Sequence, residues 1–339
     1  MTGKTLAISI VSVLGLAALL IGGVLFVRGA AESDPVAVSE PTGQVPGDSV
    51  TDSSAQILPG TTISSSQTTA ATETSQDVGT TAVETTTVDD TTTTDEPRQV
   101  LYLDEWANRE GVDFHEGARQ QGFGLVQSLA DDLNFEVTRM QNADELLLLD
   151  LSGSEPLFDV VVMWNSDGEV FDTDAKKQAF QQLIGQGTNF VGVHSASATH
   201  WEDGTKWAFY NDLVGGIFDS HPPQGTPQHR QTATVIVEDG SHPSTSHLGA
   251  TFQWSDEWYN FEAEPQNSRV LLSVDETSYL SQDFSQNPVT SPNNKHSVAW
   301  TKDIHGVKSF YTMLGHFGQD YAEPAFIEHI DGALGWALE

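Results

Sequence analysis

Cysteine is absent from this chain of 339 residues, and basic residues are scarce. Without a thiol, the protein has no disulfide, no iron–sulfur cluster and no thiolate zinc site. Its 14 lysine and arginine residues are outnumbered by 48 aspartate and glutamate residues, which gives a formal net charge of −34. A charge of this sign repels phosphate backbones and anionic headgroups, so we predict that nucleic acid is not a partner.

A long apolar run lies near the N-terminus. Residues 5–27 carry no charge and are flanked by Lys4 and Arg28. The run is long enough to cross a bilayer as a helix and exceeds the apolar core of a cleavable signal peptide, which is about 7–15 residues. We therefore expect residues 1–30 to be an uncleaved transmembrane anchor. The acidic, threonine-rich sequence that follows favours a single-pass protein of the cell membrane with an extracytoplasmic folded domain.

The segment that follows cannot form a hydrophobic core of its own. Residues 31–97 contain no aromatic, lysine or arginine residue and are rich in serine, threonine and acidic residues. Such a segment buries too little apolar surface to offset its chain entropy. We expect a disordered linker over residues 31–98, followed by a folded domain over residues 99–339.

Apolar runs and helical spacing alternate in the first half of this domain. They predict a β-α-β-α order, which implies a parallel sheet with right-handed crossovers. The strands are predicted at residues 100–103, 135–140, 158–164 and 190–194, and the helices at 117–133, 144–149 and 174–184. The second half is richer in strands, predicted at 232–237, 268–274, 296–301 and 307–311 before a closing helix at 324–336. The pattern predicts an α/β layered domain with an antiparallel extension.

The strand predicted at residues 190–194 ends in Gly192-Val193-His194-Ser195-Ala196. In doubly wound folds the chemistry lies at the carboxyl edge of the sheet, and this segment has the outline of a nucleophile elbow. The apex residue is His194, so a cysteine-dependent glutaminase is excluded. Ser195 lies one residue past the apex and would point elsewhere. We predict a catalytic or ligand role for His194; the alternative is a satisfied, buried histidine.

Further candidates come from strand ends and from an acidic pair between aromatic rings. His316 follows an apolar strand and a glycine, so it is expected near His194 at the same edge. Asp256-Glu257 lies between Trp254 and Trp258-Tyr259, a combination that suits sugar binding but also fits a capped turn with core aromatics. Adjacent strand residues face opposite sides, which favours Glu257 over Asp256 as the reacting group. We predict catalytic roles for His194, Glu257 and His316, and substrate contacts for His115, Asp256, Trp258, Tyr259 and His221.

The identity of any cofactor or metal stays open at this point. Eleven histidines without a cysteine favour imidazole and carboxylate ligands. No pair of histidines has the i, i+4 spacing of a helical zinc motif. A metal site formed by His115, His194 and His316 is one hypothesis.

These segments, in their order along the chain, resemble the ThuA-like (trehalose utilisation) family. The resemblance spans residues 99–338, and Lys308-Ser309 stands where the family often carries arginine. It implies a flavodoxin-like fold of the class I glutamine amidotransferase superfamily and a role in sugar metabolism, including the processing of 3-keto-glycosides. The matching segments are Gly192-Val193-His194-Ser195-Ala196, Leu213-Val214-Gly215-Gly216, His221-Pro222, Asp256-Glu257-Trp258-Tyr259-Asn260-Phe261 and Leu314-Gly315-His316.

Residues and resemblance together favour a membrane-tethered enzyme, a hydrolase or lyase that acts on a glycoside or 3-keto-glycoside by acid/base chemistry. Its partners would be a small carbohydrate and, through the N-terminal helix, the membrane. The alternative is a non-catalytic carbohydrate-binding or cell-surface scaffolding domain. Only the enzyme needs ionisable groups whose pKa values are driven apart.

Overall fold

The computed structural model describes residues 96–107, 113, 115–224, 226–280 and 295–339. The predicted transmembrane anchor, residues 1–30, and nearly all of the predicted linker lie outside these residues. Within the described part of the chain, no helix is both long and apolar enough to cross a bilayer.

One nine-stranded sheet organises the domain, in the order β2-β1-β3-β4-β11-β10-β9-β6-β7. Strands β2, β1, β3, β4 and β11 are mutually parallel, and this half has the flavodoxin-like order 2-1-3-4-5. Its apolar strands are buried along most of their length, as parallel strands are. The parallel strands are β1 (Arg98–Leu103), β2 (Phe135–Met140), β3 (Val160–Trp164), β4 (Asn189–Val193) and β11 (Val307–Thr312).

The other half of the sheet is antiparallel, as the sequence predicts. A separate two-stranded sheet pairs β5 with β8. The antiparallel half begins at β11, so the fold is a mixed α/β sheet. Its strands are β6 (Gln231–Val237), β7 (Thr251–Asp256), β9 (Arg269–Asp275) and β10 (Lys295–Ile304), and the small sheet contains β5 (Phe218–Ser220) and β8 (Asn260–Phe261).

In the described residues, five α-helices and three 3₁₀ helices accompany the strands. Helix α5 packs against β4 and β11, and α4 packs against β11. The α-helices are α1 (Glu116–Ser128), α2 (Ala130–Leu133), α3 (Asp174–Gly185), α4 (Ala208–Val214) and α5 (Pro324–Leu338), and the 3₁₀ helices are Ala143–Leu148, His194–Ala198 and Gly318–Ala322.

Several predicted boundaries were wrong. The single helix predicted at 117–133 breaks at Leu129, whose N–H donates to Val126 O, a three-residue step that tightens the helix end. The helix predicted at 144–149 is a 3₁₀ helix that Asn142 caps by accepting from Asp144 N. Strand β1 begins at Arg98, which had been assigned to the linker. Neither α4 nor β7 was predicted.

Candidate metal centre

Four buried side chains from four segments converge at the carboxyl edge of the parallel strands. His194 Nε2 lies 3.0 Å from His316 Nδ1 and 3.3 Å from Glu257 Oε2. His316 Nδ1 lies 3.2 Å from His115 Nε2 and 3.0 Å from Glu257 Oε2. Each of the four residues places one ligand atom within 4.8 Å of the others. We call His115, His194, Glu257 and His316 the four-residue cluster.

His194 is placed by a sharp turn at the end of β4. Its φ of 51° is in the left-handed region, which is uncommon for a residue other than glycine and is found at functional sites. Position 192, two residues before this turn, has no room for a side chain, because a Cβ there would lie 2.9 Å from the ring of Phe190. His194 Nδ1 lies 2.6 Å from the carbonyl oxygen of Met313, which only accepts, so Nδ1 carries the proton. The Nε2 lone pair therefore points into the cluster.

The other two histidines come from the segments that follow β1 and β11. His115 precedes the first residue of α1, and its backbone N–H donates to Asp113 Oδ1 over 3.0 Å. His316 follows Gly315, whose φ of 115° is available to glycine without strain. Because β1, β4 and β11 are parallel, their carboxyl ends meet at one edge and the three imidazoles come together there.

Glu257 divides its two carboxylate oxygens between different neighbours. Oε2 faces the cluster, whereas Oε1 lies 2.7 Å from His229 Nε2 and 3.0 Å from His221 Nδ1. Neither contact to Oε1 has the alignment of a hydrogen bond, and Oε1 is buried. His221 instead directs Nδ1 at the carbonyl oxygen of Pro222. A carboxylate oxygen in this position has unmet capacity for a hydrogen-bond donor or a cation.

Burial and mutual repulsion lower the pKa values of two of the imidazoles, those of His115 and His194. Burial first, and then the nearby rings of His316 and His194, hold the pKa of His115 well below its ordinary value. Burial likewise lowers the pKa of His194, with a further contribution from His316. Burial acts to raise the pKa of Glu257, but the contacts of His194, His229 and His316 outweigh it and leave that pKa well below its ordinary value. Neutral imidazoles and an ionised carboxylate are the protonation states in which these side chains bind metal.

The geometry of the four-residue cluster fits a divalent transition metal. Four ligand atoms placed about 2.0–2.1 Å from a tetrahedral zinc ion lie about 3.3–3.4 Å from one another. Four of the six separations in the cluster are 3.0–3.3 Å, and all six lie within 4.8 Å. Three imidazole nitrogens and one carboxylate oxygen are ligands suited to zinc, iron or copper rather than to magnesium or calcium. The cluster can therefore hold one such ion.

The remaining predicted contact residues are placed differently. The ring of Tyr259 lies 4.2 Å from that of His194, and His221 lies beside Glu257, so both are next to the cluster. Asp256 instead binds the backbone N–H groups of Gly315 and His316. The Trp258 side chain is buried, packs near Tyr279 and donates to Gln231 O.

Two residues were missed, one that contacts Glu257 and one at the carboxyl end of β3. His229 is in the segment between β5 and β6, where no strand end or motif marks it. Asp167 follows β3, and burial, then the carboxylates of Glu202 and Asp113, raise its pKa to about 7. Asp167 could have been identified because β3, like β4, is a buried strand with polar residues after it.

Solved structures with a similar fold and a matching family model relate this chain to known proteins. A ThuA-like protein from Bacteroides uniformis is 19% identical, with a TM-score of 0.57, over 72% of this chain and 92% of that one. A ThuA-like protein from Parabacteroides merdae is 17% identical, with a TM-score of 0.50, over 71% and 90%. No curated protein matches significantly. The sequence model of the ThuA family, described as trehalose utilisation, matches residues 106–337. This chain therefore belongs to the ThuA family.

Proposed function

We propose that this protein is a metal-dependent enzyme that processes a carbohydrate, with a glycoside or 3-keto-glycoside as its substrate class. The observation that carries the proposal is the convergence of His115, His194, His316 and Glu257 on one point. Membership of a family described as trehalose utilisation supports the substrate class.

The chemistry of the cluster supports an enzyme over a binding module. Sugar-binding sites use aromatic faces and hydrogen-bonding groups, and they have no need of three buried imidazoles and a carboxylate gathered within 4.8 Å of one another. A bound divalent metal would polarise a carbonyl or lower the pKa of a bound water. The neighbouring side chains would supply orientation: Tyr259 packs on His194, and His221 and His229 flank the second oxygen of Glu257.

The test measures metal content and turnover on the same sample. The full chain, purified without added metal, is analysed by elemental mass spectrometry and then incubated with a panel of glycosides and 3-keto-glycosides. We expect about one transition-metal ion per chain, loss of turnover after chelation, and recovery with one of Zn²⁺, Mn²⁺, Fe²⁺ or Co²⁺. A metal-free chain that turns over its substrate equally well would refute the metal's role.

A matched pair of variants distinguishes the loss of a metal ligand from the loss of a surface charge. Glu257→Gln keeps the side-chain shape but removes the charge that faces the imidazoles, so it should lose metal and activity. Glu136→Gln removes an exposed carboxylate on β2 and should retain both. Equal metal content in the two variants would exclude Glu257 as a ligand.

The tethering of the domain is proposed from sequence alone. Residues 1–30 would anchor the chain in a membrane, and the acidic linker would place the folded domain on the outer side. Protease added to intact cells should then release the folded domain. Protection until lysis would reverse this topology.

A further inference from the structure

The turn after β3 lies between the two segments that supply His115 and His194. In the sheet, β3 is flanked by β1 and β4. The backbone of Asp167 is held on the β1 side, because Ala107 N donates to Asp167 O over 2.8 Å and Asp167 N donates to Glu105 O over 3.3 Å. Gly168 N donates to Ala198 O over 3.1 Å, which ties the same turn to the 3₁₀ helix that begins at His194. Asp167 is therefore fixed at the edge of the sheet that carries the four-residue cluster.

The groups around Asp167 are also neighbours of the cluster. Its carboxylate interacts with the charges of Glu202, Asp113 and Arg119, and with Tyr259. Arg119 pairs with Asp113 and also donates to the carbonyl oxygen of Asn165, two residues before Asp167. Arg119 acts on the charge of His115, and the ring of Tyr259 packs on His194. The neighbours of Asp167 thus reach both sides of the cluster.

We propose that Asp167 is the proton-transfer residue of this site and that it exchanges a proton with a glycoside bound against the four-residue cluster. The proposal rests on the function proposed above. Strand β3 contributes no ligand to the cluster, although its end lies between two that do. Asp167 is the first residue after β3 that carries an ionisable side chain.

The environment of Asp167 suits both halves of a proton transfer. Burial, followed by the carboxylates of Glu202 and Asp113, raises its pKa to about 7, against the opposing effects of the Gly168 N–H and Arg119. A group with a pKa near the working pH is present as acid and as base in comparable amounts. Tyr259, whose pKa Asp167 also helps to raise, has that pKa lifted well above its ordinary value by burial first and stays uncharged.

Hydrolysis of a glycoside needs one proton at the departing oxygen. The Asp167 carboxylic acid gives its proton to the glycosidic oxygen as the carbon–oxygen bond breaks, and the bonding electron pair stays on that oxygen. Water forms the new carbon–oxygen bond and loses a proton to the Asp167 carboxylate, which restores the acid. One glycoside and one water thus become two hydroxyl compounds, with Asp167 unchanged.

The test compares Asp167→Asn with the wild-type full chain, using the glycoside that the wild type turns over in the panel described above. We expect Asp167→Asn to keep about one metal ion per chain and to lose turnover at least 100-fold, in the range of general acid–base catalysis. Asp167→Ala should regain turnover when formate is added, because a small carboxylic acid can replace the missing group.

The pH profile provides a second readout, one that a structural role would not change. Glu202→Gln removes an exposed carboxylate that raises the pKa of Asp167, so the limb of the profile near pH 7 should move to lower pH while turnover persists. Asp167→Asn with near wild-type turnover, or with turnover lost because metal is lost, would overturn the proposal. A metal-loaded wild type that turns over no member of the panel would instead defeat the proposed function, and this proposal with it.

Discussion

Asp256 holds the turn that carries His316. Its Oδ1 accepts from the backbone N–H of His316 over 3.2 Å, and its Oδ2 accepts from that of Gly315 over 2.8 Å. Oδ2 also accepts from Trp254 Nε1 over 2.9 Å, and Oδ1 accepts from the N–H of Glu257. One buried carboxylate therefore sets the position of two members of the four-residue cluster, His316 and Glu257.

This arrangement predicts the effect of Asp256→Asn. An amide NH₂ in place of one oxygen would face backbone N–H groups, leave donors unpaired and cost about 1–3 kcal/mol of unfolding free energy. Displacing a ligand through its supporting group should also weaken metal affinity about 10–100-fold. Urea denaturation and chelator competition measure the two effects. Asp150→Asn, at an exposed aspartate, serves as the control and should leave both unchanged.

Removal of the metal should destabilise the protein. A ligand that binds only the folded state adds about 4 kcal/mol at a thousand times its dissociation constant. The chelated chain should therefore melt at a lower temperature, and restored metal should reverse the change in the wild type but not in His316→Ala. His305→Asn is the control, because His305 packs on Phe209 away from the cluster and its φ of 54° suits asparagine. Identical melting with and without metal in the wild type would contradict the assigned site.

The sequence was informative where parallel strands end. His194 and His316 each follow an apolar strand, and the shared carboxyl edge of parallel strands is enough to predict that they meet. Glu257 was selected because adjacent residues in a strand face opposite sides. In the structure β7 ends at Asp256, which binds the backbone N–H groups of Gly315 and His316, whereas Glu257 faces the His316 imidazole.

Other features had no comparable local signal. His229 reaches Glu257 from an irregular segment whose path depends on tertiary packing. Trp258 was expected at the sugar because aromatic rings flank the acidic pair, but the same pattern also arises when the rings fill the core, which is where Trp258 lies. Strand β7 was not predicted, although its residues alternate polar and apolar as the period-2 pattern of a strand requires.

Two glycines of α5 should respond in opposite ways to alanine. A Cβ on Gly332 would lie 2.4 Å from the backbone carbonyl of Pro243, and backbone cannot move aside cheaply. Gly332→Ala should therefore destabilise the fold by about 1–3 kcal/mol or more. A Cβ on Gly335 would lie 3.5 Å from Leu133 Cδ2, an ordinary contact, so the gain in helix propensity, about 1 kcal/mol, should prevail. Urea denaturation of both variants would detect this difference. Equal effects on the unfolding free energy would show that α5 does not pack against the Pro243 turn as described.

Acid should destabilise the fold through buried neutral histidines, of which His329 is one. Its Nδ1–H donates to Ser244 O over 2.8 Å, and its Nε2 accepts from the Thr312 hydroxyl over 3.1 Å. Burial first, and then His247 and His242, lower the pKa of His329 to about 4. Between that value and the unfolded value near 6.5, the unfolded chain binds a proton that the folded chain excludes.

The sign of the effect follows from that difference in proton binding. The contribution of His329 is fully present above pH 6.5 and is lost as the pH falls toward 4. From pH 7 to 4.5, this single group should lower the unfolding free energy by about 2–3 kcal/mol. His329→Gln keeps a polar side chain that does not titrate, so its unfolding free energy should decline less steeply with acid. His200 and His242, whose pKa values burial also lowers to about 4, still titrate in that variant and keep its slope above zero. Urea denaturation at pH 7, 5.5 and 4.5 measures both slopes, and parallel slopes for the two proteins would show that His329 does not contribute.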